Sequence, residues 1–200
     1  MPVPSRWLTD TGPGHSQWYI NRFRQMAADG HDLAGEARLI DAMVPRSSRI
    51  LDAGCGPGRV GGELFRRGHV VVGVDVDPEL IAAAESDHPG PTWLVADLAD
   101  FDLPAMGHPE PFDAAIIAGN VMTFLAAGTE SDVMARVTAH LKPDGFVAVG
   151  FGTDRGYPLD AFDEHSRAAG LTLEHRFATW DLRPWVPGAG FAVTILRQPH

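Results

Sequence analysis

The sequence lacks most of what marks an extracellular, membrane-spanning or polyanion-binding protein. Cys55 is the only cysteine among 200 residues, so no disulfide can form within the chain. The first ten residues, MPVPSRWLTD, hold no apolar core of signal-peptide length, and a reducing cytoplasm is the expected compartment. The longest uncharged run, Ala114 to Thr129, is too short to cross a bilayer and is interrupted by Gly119, Asn120 and Thr123. No membrane partner is expected. No basic run offsets the formal charge of −10, and nucleic-acid affinity rests largely on phosphate neutralisation by Lys and Arg, so DNA and RNA are not expected as partners. The nine histidines show no metal-ligand spacing such as H-E-x-x-H, and no metal is expected.

What is present is concentrated in Ile50 to Leu64, ILDAGCGPGRVGGEL. An apolar strand runs into Asp52 and then Gly54, Gly56 and Gly58. Glycine at alternate positions lets the backbone take positive φ and approach a bound molecule closely, which is the character of a ligand cradle. The rest of the chain alternates strands and helices, the pattern of a parallel sheet covered on both faces. Strands are expected at Arg49 to Ala53, His69 to Asp75, Thr92 to Asp97, Phe112 to Ala118 and Phe146 to Phe151. Between them, Val60 to Arg67 reads as a helix with Val60, Leu64 and Phe65 inward, closed by Gly68. Asp77 with Pro78 opens another helix, running to about Ser86. Thr129 with Asp132 resembles a capping box for the helix that runs to Leu141, which the turn Lys142 to Gly145 ends. A further helix is expected from about Asp160 to Ala169. Leu171 to Trp180 and Phe191 to Gln198 then form a hairpin, an antiparallel edge.

Ahead of the sheet, Gln17 to Ala28 and Leu33 to Val44 read as helices packed over its carboxyl edge. The expected organisation is a helical cap, residues 1–45, on a domain spanning 46–200; 44% apolar residues suffice for one core.

Asp52, Asp75 and Asp97 end the first three expected strands at intervals of 23 and 22 residues, one βα unit apart. In a doubly wound sheet the ligand crevice lies outside the carboxyl ends of the strands, so all three should line one groove. Asp75, 17 residues after Gly58, occupies the usual place of a ribose-binding carboxylate. Each could instead cap the segment that follows it, as aspartate does at strand ends, but the common register favours a shared site.

These residues resemble a class I S-adenosylmethionine-dependent methyltransferase. Its first motif looks like Asp52 to Gly58, its second like GVDVD (Gly73 to Asp77) and its third like VADLADF (Val95 to Phe101). AGNV (Ala118 to Val121) and LKPDGFVAV (Leu141 to Val149) resemble the fourth and fifth. The resemblance covers about Arg46 to Gln198. It implies a Rossmann-like α/β fold, a doubly wound, mostly parallel seven-stranded sheet with a reversed C-terminal hairpin, and S-adenosyl-L-methionine as cofactor. By position, Asp52 would face the methionine amino group. The backbone from Ala53 through Gly54, Cys55 and Gly56 to Gly58 would flank methionine and ribose. Asp75 would hold the ribose hydroxyls, Asp97 and the Leu98 N–H would read the adenine, and Val76 would pack on its ring. Gly119 and Asn120 would approach the methionine end, and Tyr19 would close on it.

Gly56 to Gly61 also satisfies the dinucleotide pattern G-x-G-x-x-G, leaving an NAD-dependent oxidoreductase as an alternative. Against it, a carboxylate at Asp52 would repel a pyrophosphate but suits an ammonium or sulfonium. A third reading is a cofactor-binding sensor without turnover. For a methyltransferase the chain lacks an N-P-P-Y-type signature after the fourth strand, reading Asn120-Val-Met-Thr, so a small-molecule acceptor is expected. Trp7, Trp18, Tyr19 and Phe23, with Trp180 and Trp185, could wall its pocket or merely tether the cap. His15, His140 and His165 are unranked candidates for a base, His165 otherwise belonging to a solvated helix face. Cys55 reads as a packed thiol.

Overall fold

Odd and even positions of the central strands part to opposite faces, which turns the apolar strand runs into two cores. The computed structural model describes residues 4–199, so the first three residues of the expected cap, and of the segment read for a leader, lie outside it, as does His200. Strands β1 (Arg49–Ala53), β2 (Val70–Asp75), β3 (Thr92–Val95), β4 (Phe112–Ile117), β5 (Leu141–Gly152), β6 (Thr172–Phe177) and β7 (Phe191–Arg197) form one sheet in the order 3-2-1-4-5-7-6. The first five run parallel, and β7 lies antiparallel between β5 and β6. This is the Rossmann-like sheet with a reversed hairpin.

Leu51, Val72, Ala115 and Val147 face one core, under α7 (Glu130–Ala139) and α8 (Leu159–Ala168) through Val133, Val137 and Phe162. Ile50, Val71, Ala114 and Phe146 face the other, under α3 (Gly35–Met43) and α4 (Arg59–Arg66) through Ile40, Val60 and Leu64. Both sheet faces are thus covered, which is why the strands read as continuous apolar runs. The strand order reverses at β1, which pairs with β2 on one side and β4 on the other. A ligand crevice belongs at the carboxyl end of that switch point.

The remaining helices are α1 (Arg6–Asp10), α2 (His15–Ala28), α5 (Pro78–Asp87) and α6 (Val121–Phe124). Several sequence expectations fail locally. Phe65 points outward, 41% exposed, and its ring covers Gly90. The Thr129 capping box does not form: its hydroxyl donates to the Ala126 carbonyl, and Glu130 instead accepts from the Gly128 N–H at 2.9 Å. Lys142 to Gly145 is a bulge inside β5, not a turn before it. Pairing jumps there from Phe112–Leu141 to Ala114–Phe146, with Asp144 at φ 64°. Helices α1 and α6 have too few residues to show a periodic pattern.

Candidate active site

At the carboxyl end of β1 the chain must turn sharply without filling the space above it. Gly54, Gly56 and Gly58 all take positive φ, at 78°, 53° and 80°. A side chain at Gly54 would start 2.4 Å from the Val121 methyl, so only glycine fits the crossing of this loop with α6. Gly58 is the left-handed N-cap of α4, and the Gly61 N–H in that helix's first turn donates to Asp52 Oδ2 at 2.7 Å. Asp75 accepts from the Gly56 N–H at 2.8 Å and the Asp77 N–H at 3.0 Å. Backbone donors on the loop and helix therefore fix both carboxylates.

Both groups are almost wholly buried, and burial disfavours the charged form. It pushes Asp52 up to about 7 and Asp75 up to about 6, against the opposing effect of the backbone donors. Such groups favour a positively charged ligand, which would stabilise the ionised form. Asp97 differs: it lies two residues past β3, half-buried, and its carboxylate accepts from the Ala99 N–H at 2.9 Å. Its local capping role is present, and it also lines the cleft.

The cleft above these residues encloses about 830 Å³, open water at its mouth included. Its floor is Asp52, Gly54, Cys55, Gly56, Asp75, Val76, Asp97, Leu98 and Gly119. Ala53, Gly58 and Asn120 lie outside the lining: Ala53 is in the sheet core, Gly58 packs against Ala84 and Trp93, and the Asn120 side-chain oxygen accepts from the Gly152 N–H at 2.8 Å. Cys55 packs with Ile81, Ala84 and Trp93, and burial, with Asp52 and Asp75 nearby, pushes its thiol well above the usual range. Both effects disfavour the nucleophilic thiolate.

The roof comes from the N-terminal segment. Trp7 meets Tyr19 and Phe124 edge-on at centroid distances of 5.3 and 5.5 Å, and Tyr19 meets Phe23 at 4.9 Å. Long-range hydrogen bonds hold it down, including two from Arg24 to Asp87 at 2.7 and 2.9 Å. Trp7 Nε1 donates to Asp77 Oδ2 at 2.8 Å, the Ser16 hydroxyl donates to the same oxygen, and the Ser5 hydroxyl donates to the Phe124 carbonyl at 2.8 Å. Asp77 also caps α5. Burial raises its pKa, but Ser16, Trp7 and the backbone donors outweigh that and hold the carboxyl below its ordinary range.

Trp18 is 53% exposed beneath Arg22 and is not part of the roof. Trp180 packs on Gly150 and Trp185 lies under Arg176, both away from the cleft. None of the three candidate histidines lines it. His15 stands on the outer edge of Trp7. His140 accepts from the Leu103 N–H through Nε2, so its Nδ1 carries the proton given to the Arg136 carbonyl. His165 is half-buried, not solvated, and its Nδ1 bonds the Tyr157 hydroxyl at 2.8 Å. Sequence reading missed Arg59, Ser5, Phe124 and Leu125, which also line the cleft. Arg59 directly follows the glycine loop, and that position was the one available signal.

Comparison with known proteins now decides the family. The profile of the methyltransferase domain matches residues 50–145. The magnesium-protoporphyrin O-methyltransferase of Rhodobacter capsulatus is 31% identical over 173 residues, 77% of this chain and 76% of that one. The chain is a class I S-adenosylmethionine-dependent methyltransferase. The crystal structure of a TehB-like SAM-dependent methyltransferase from Corynebacterium glutamicum agrees, with TM-score 0.88, 44% identity, and coverage of 94% of this chain and 100% of that one. A trans-aconitate 2-methyltransferase of Methylobacterium nodulans is 28% identical over 175 residues, 80% of this chain and 64% of that one. The methyltransferase's cofactor is S-adenosylmethionine, and the floor fits it: the buried Asp52 and Asp75 carboxylates offer acceptors for an ammonium and for hydroxyls, and Val76, Leu80 and Leu98 beside Asp97 offer an apolar slot with a polar edge. No helix among the described residues is long and apolar enough to cross a membrane, and no described cluster of His, Cys, Asp and Glu could hold a metal.

Proposed function

We propose that this methyltransferase transfers the methyl group to a small molecule with an apolar body. The observation that carries the reading is the roof: Trp7, Tyr19, Phe23, Phe124 and Leu125 line the cleft with aromatic and aliphatic surface. Relatives named for magnesium-protoporphyrin and trans-aconitate support a small-molecule acceptor.

In this reading Asp75 holds the ribose hydroxyls with the lone pairs its backbone donors leave free. Asp52 faces the amino group of the methionine tail. Asp97 and the Leu98 N–H meet the adenine edge while Val76 packs on its face. The loop from Gly54 to Gly58 and Gly119 give backbone at close range, and Tyr19 closes from above. Of the segment up to residue 45, expected to be a cap, α1 and α2 cover the cleft, while α3 packs on the sheet face beside α4 through Ala37 and Ile40. When bound, S-adenosylmethionine supplies a methyl group activated on a sulfonium. The protein contributes position: the floor fixes the donor, and the roof holds the acceptor in line and excludes water.

The test is incubation with S-adenosylmethionine and a panel of small acids, alcohols, thiols and amines on aromatic or aliphatic bodies, reading release of S-adenosylhomocysteine. Acceptor-dependent release is expected. Binding of the cofactor with no release across the panel, or release only with protein or nucleic acid, would overturn the proposal.

A further inference from the structure

Trp18, which the roof does not use, serves as a platform. Its exposed ring tilts against His15 at 5.2 Å, and the Arg22 guanidinium lies over it, 5.5 Å from the centroid. Trp18 and Arg22 are four residues apart on α2 and so share one face of it. A guanidinium seated on an aromatic face is held in place with its N–H donors still free for an anion. Arg22 also stands one turn from Tyr19, about 60° further round the helix, on the side away from buried Ile20. From Tyr19 in the cleft to Arg22 is therefore one step outward, to the rim. The electrostatics agree: burial pushes the Tyr19 phenol up, and the charges of Arg59 and Arg22 oppose it.

Arg22 is set apart by its lack of a partner. The chain has 26 acidic residues against 16 lysines and arginines, and most of those cations sit against a carboxylate. Among the described residues Arg22, Arg136, Arg155 and Arg167 do not. Arg136 donates instead to the Ala99 and Phe101 carbonyls, Arg155 lies against Gly152, and Arg167 is on α8. Of the four, Arg22 is the one beside a side chain of the cleft lining. Arg59, the one cation within that lining, is already neutralised by Glu36 through hydrogen bonds at 2.8 and 2.6 Å. A formal charge of −10 repels an anion, so an anionic acceptor needs a local cation, and Arg22 is the free one at the mouth.

We infer that Arg22, steadied by Trp18, binds a carboxylate of the methyl acceptor at the rim of the cleft, and that the acceptors are therefore small carboxylates; this rests on the small-molecule reading proposed above. The carboxylate is a second group of the acceptor, apart from the atom that takes the methyl. Arg22 sets specificity and Trp18 positions it.

The experiment measures S-adenosylhomocysteine release by the full chain, at low ionic strength, from matched pairs: hydroxy-, mercapto- and aminobenzoates, each beside its primary amide. The unsubstituted protein should favour the best carboxylate over its amide by about tenfold in kcat/KM, the lower range of a charge-assisted contact because Arg22 is exposed, and the difference should lie in KM. In Arg22→Gln the preference should fall to within about threefold. Trp18→Ala, which frees the guanidinium without removing it, should lie between. Arg167→Gln makes the same charge change on α8 and should keep the whole preference. Equal or greater turnover of the amide in the unsubstituted protein, an undiminished preference in Arg22→Gln, or an equal fall in Arg167→Gln overturns the inference and leaves the small-molecule reading standing. Bound S-adenosylmethionine with no release from any member of either series would overturn that reading, and the inference with it.

Discussion

The cleft is built from two regions held by different physics. Its floor is a property of the backbone: loop glycines at positive φ, and carboxylates receiving N–H groups from 9 and 19 positions away, Gly61 to Asp52 and Gly56 to Asp75. Its roof is a property of side chains distant in sequence, Trp7 with Asp77 across 70 positions and Ser5 with Phe124 across 119. The floor sits on strands buried on both faces. The roof rests on edge-to-face rings, on hydrogen bonds from Ser5, Trp7 and Ser16 and on the Arg24–Asp87 pair, with Ile20 the one buried residue of α2. The difference separates two kinds of support: local backbone contacts fix the floor, and side-chain contacts distant in sequence fix the roof.

The largest effect should come from disturbing the floor. Gly54→Val drives a branched side chain into Val121 from a left-handed backbone, costing roughly 3 kcal/mol or more from overpacking and strain together. Thermal unfolding should shift down by about 10 °C, and cofactor binding should vanish in titration. A variant that melts and binds normally would show that the loop is not the rigid part.

The same contrast decides what the sequence revealed. The floor was legible because its determinants are local: glycine spacing, and an aspartate at the end of β1 and of β2. Asp97 was placed by the same register but lies beyond β3 and spends one oxygen on the Ala99 N–H. The roof was only half legible. Tyr19 and Phe23 stood out as aromatic, but Trp18 looked the same and faces solvent. What separates them is where α2 meets α5, and that depends on Asp77 accepting from both Trp7 and Ser16, a tertiary fact with no periodicity. The bulge at Lys142 to Gly145 was read as a turn because proline and glycine punctuate both; the parallel pairing with β4 resumes past it.

Loosening the roof should have a smaller effect. Trp7→Phe keeps the ring contacts with Tyr19 and Phe124 but removes the hydrogen bond to Asp77, worth about 1 to 2 kcal/mol for a charged acceptor. Melting should fall by about 2 to 8 °C, less than in Gly54→Val, and S-adenosylhomocysteine should dissociate several-fold faster in stopped-flow. A change in melting as large as that of Gly54→Val would mean that roof and floor are one cooperative unit.

Two buried carboxyl groups, Asp52 and Asp75, are raised by desolvation, and the proposed donor placement sets a cationic ligand over them. The sign follows from their pKa values. Asp52 near 7 and Asp75 near 6 are partly protonated at pH 6 in the free protein, and the folded state there binds more protons than the unfolded chain. Stability of the free protein should therefore decline as pH rises from the ordinary carboxylate range through about 7. A cation favours the ionised forms, so its binding must release protons at pH 6 and tighten with pH until about 7. The direct test is calorimetric titration with S-adenosylmethionine at pH 6 and again at pH 8, each in two buffers of different ionisation enthalpy. Net proton release at pH 6 that fades by pH 8 is the predicted result; no release at pH 6, or proton uptake, would contradict it.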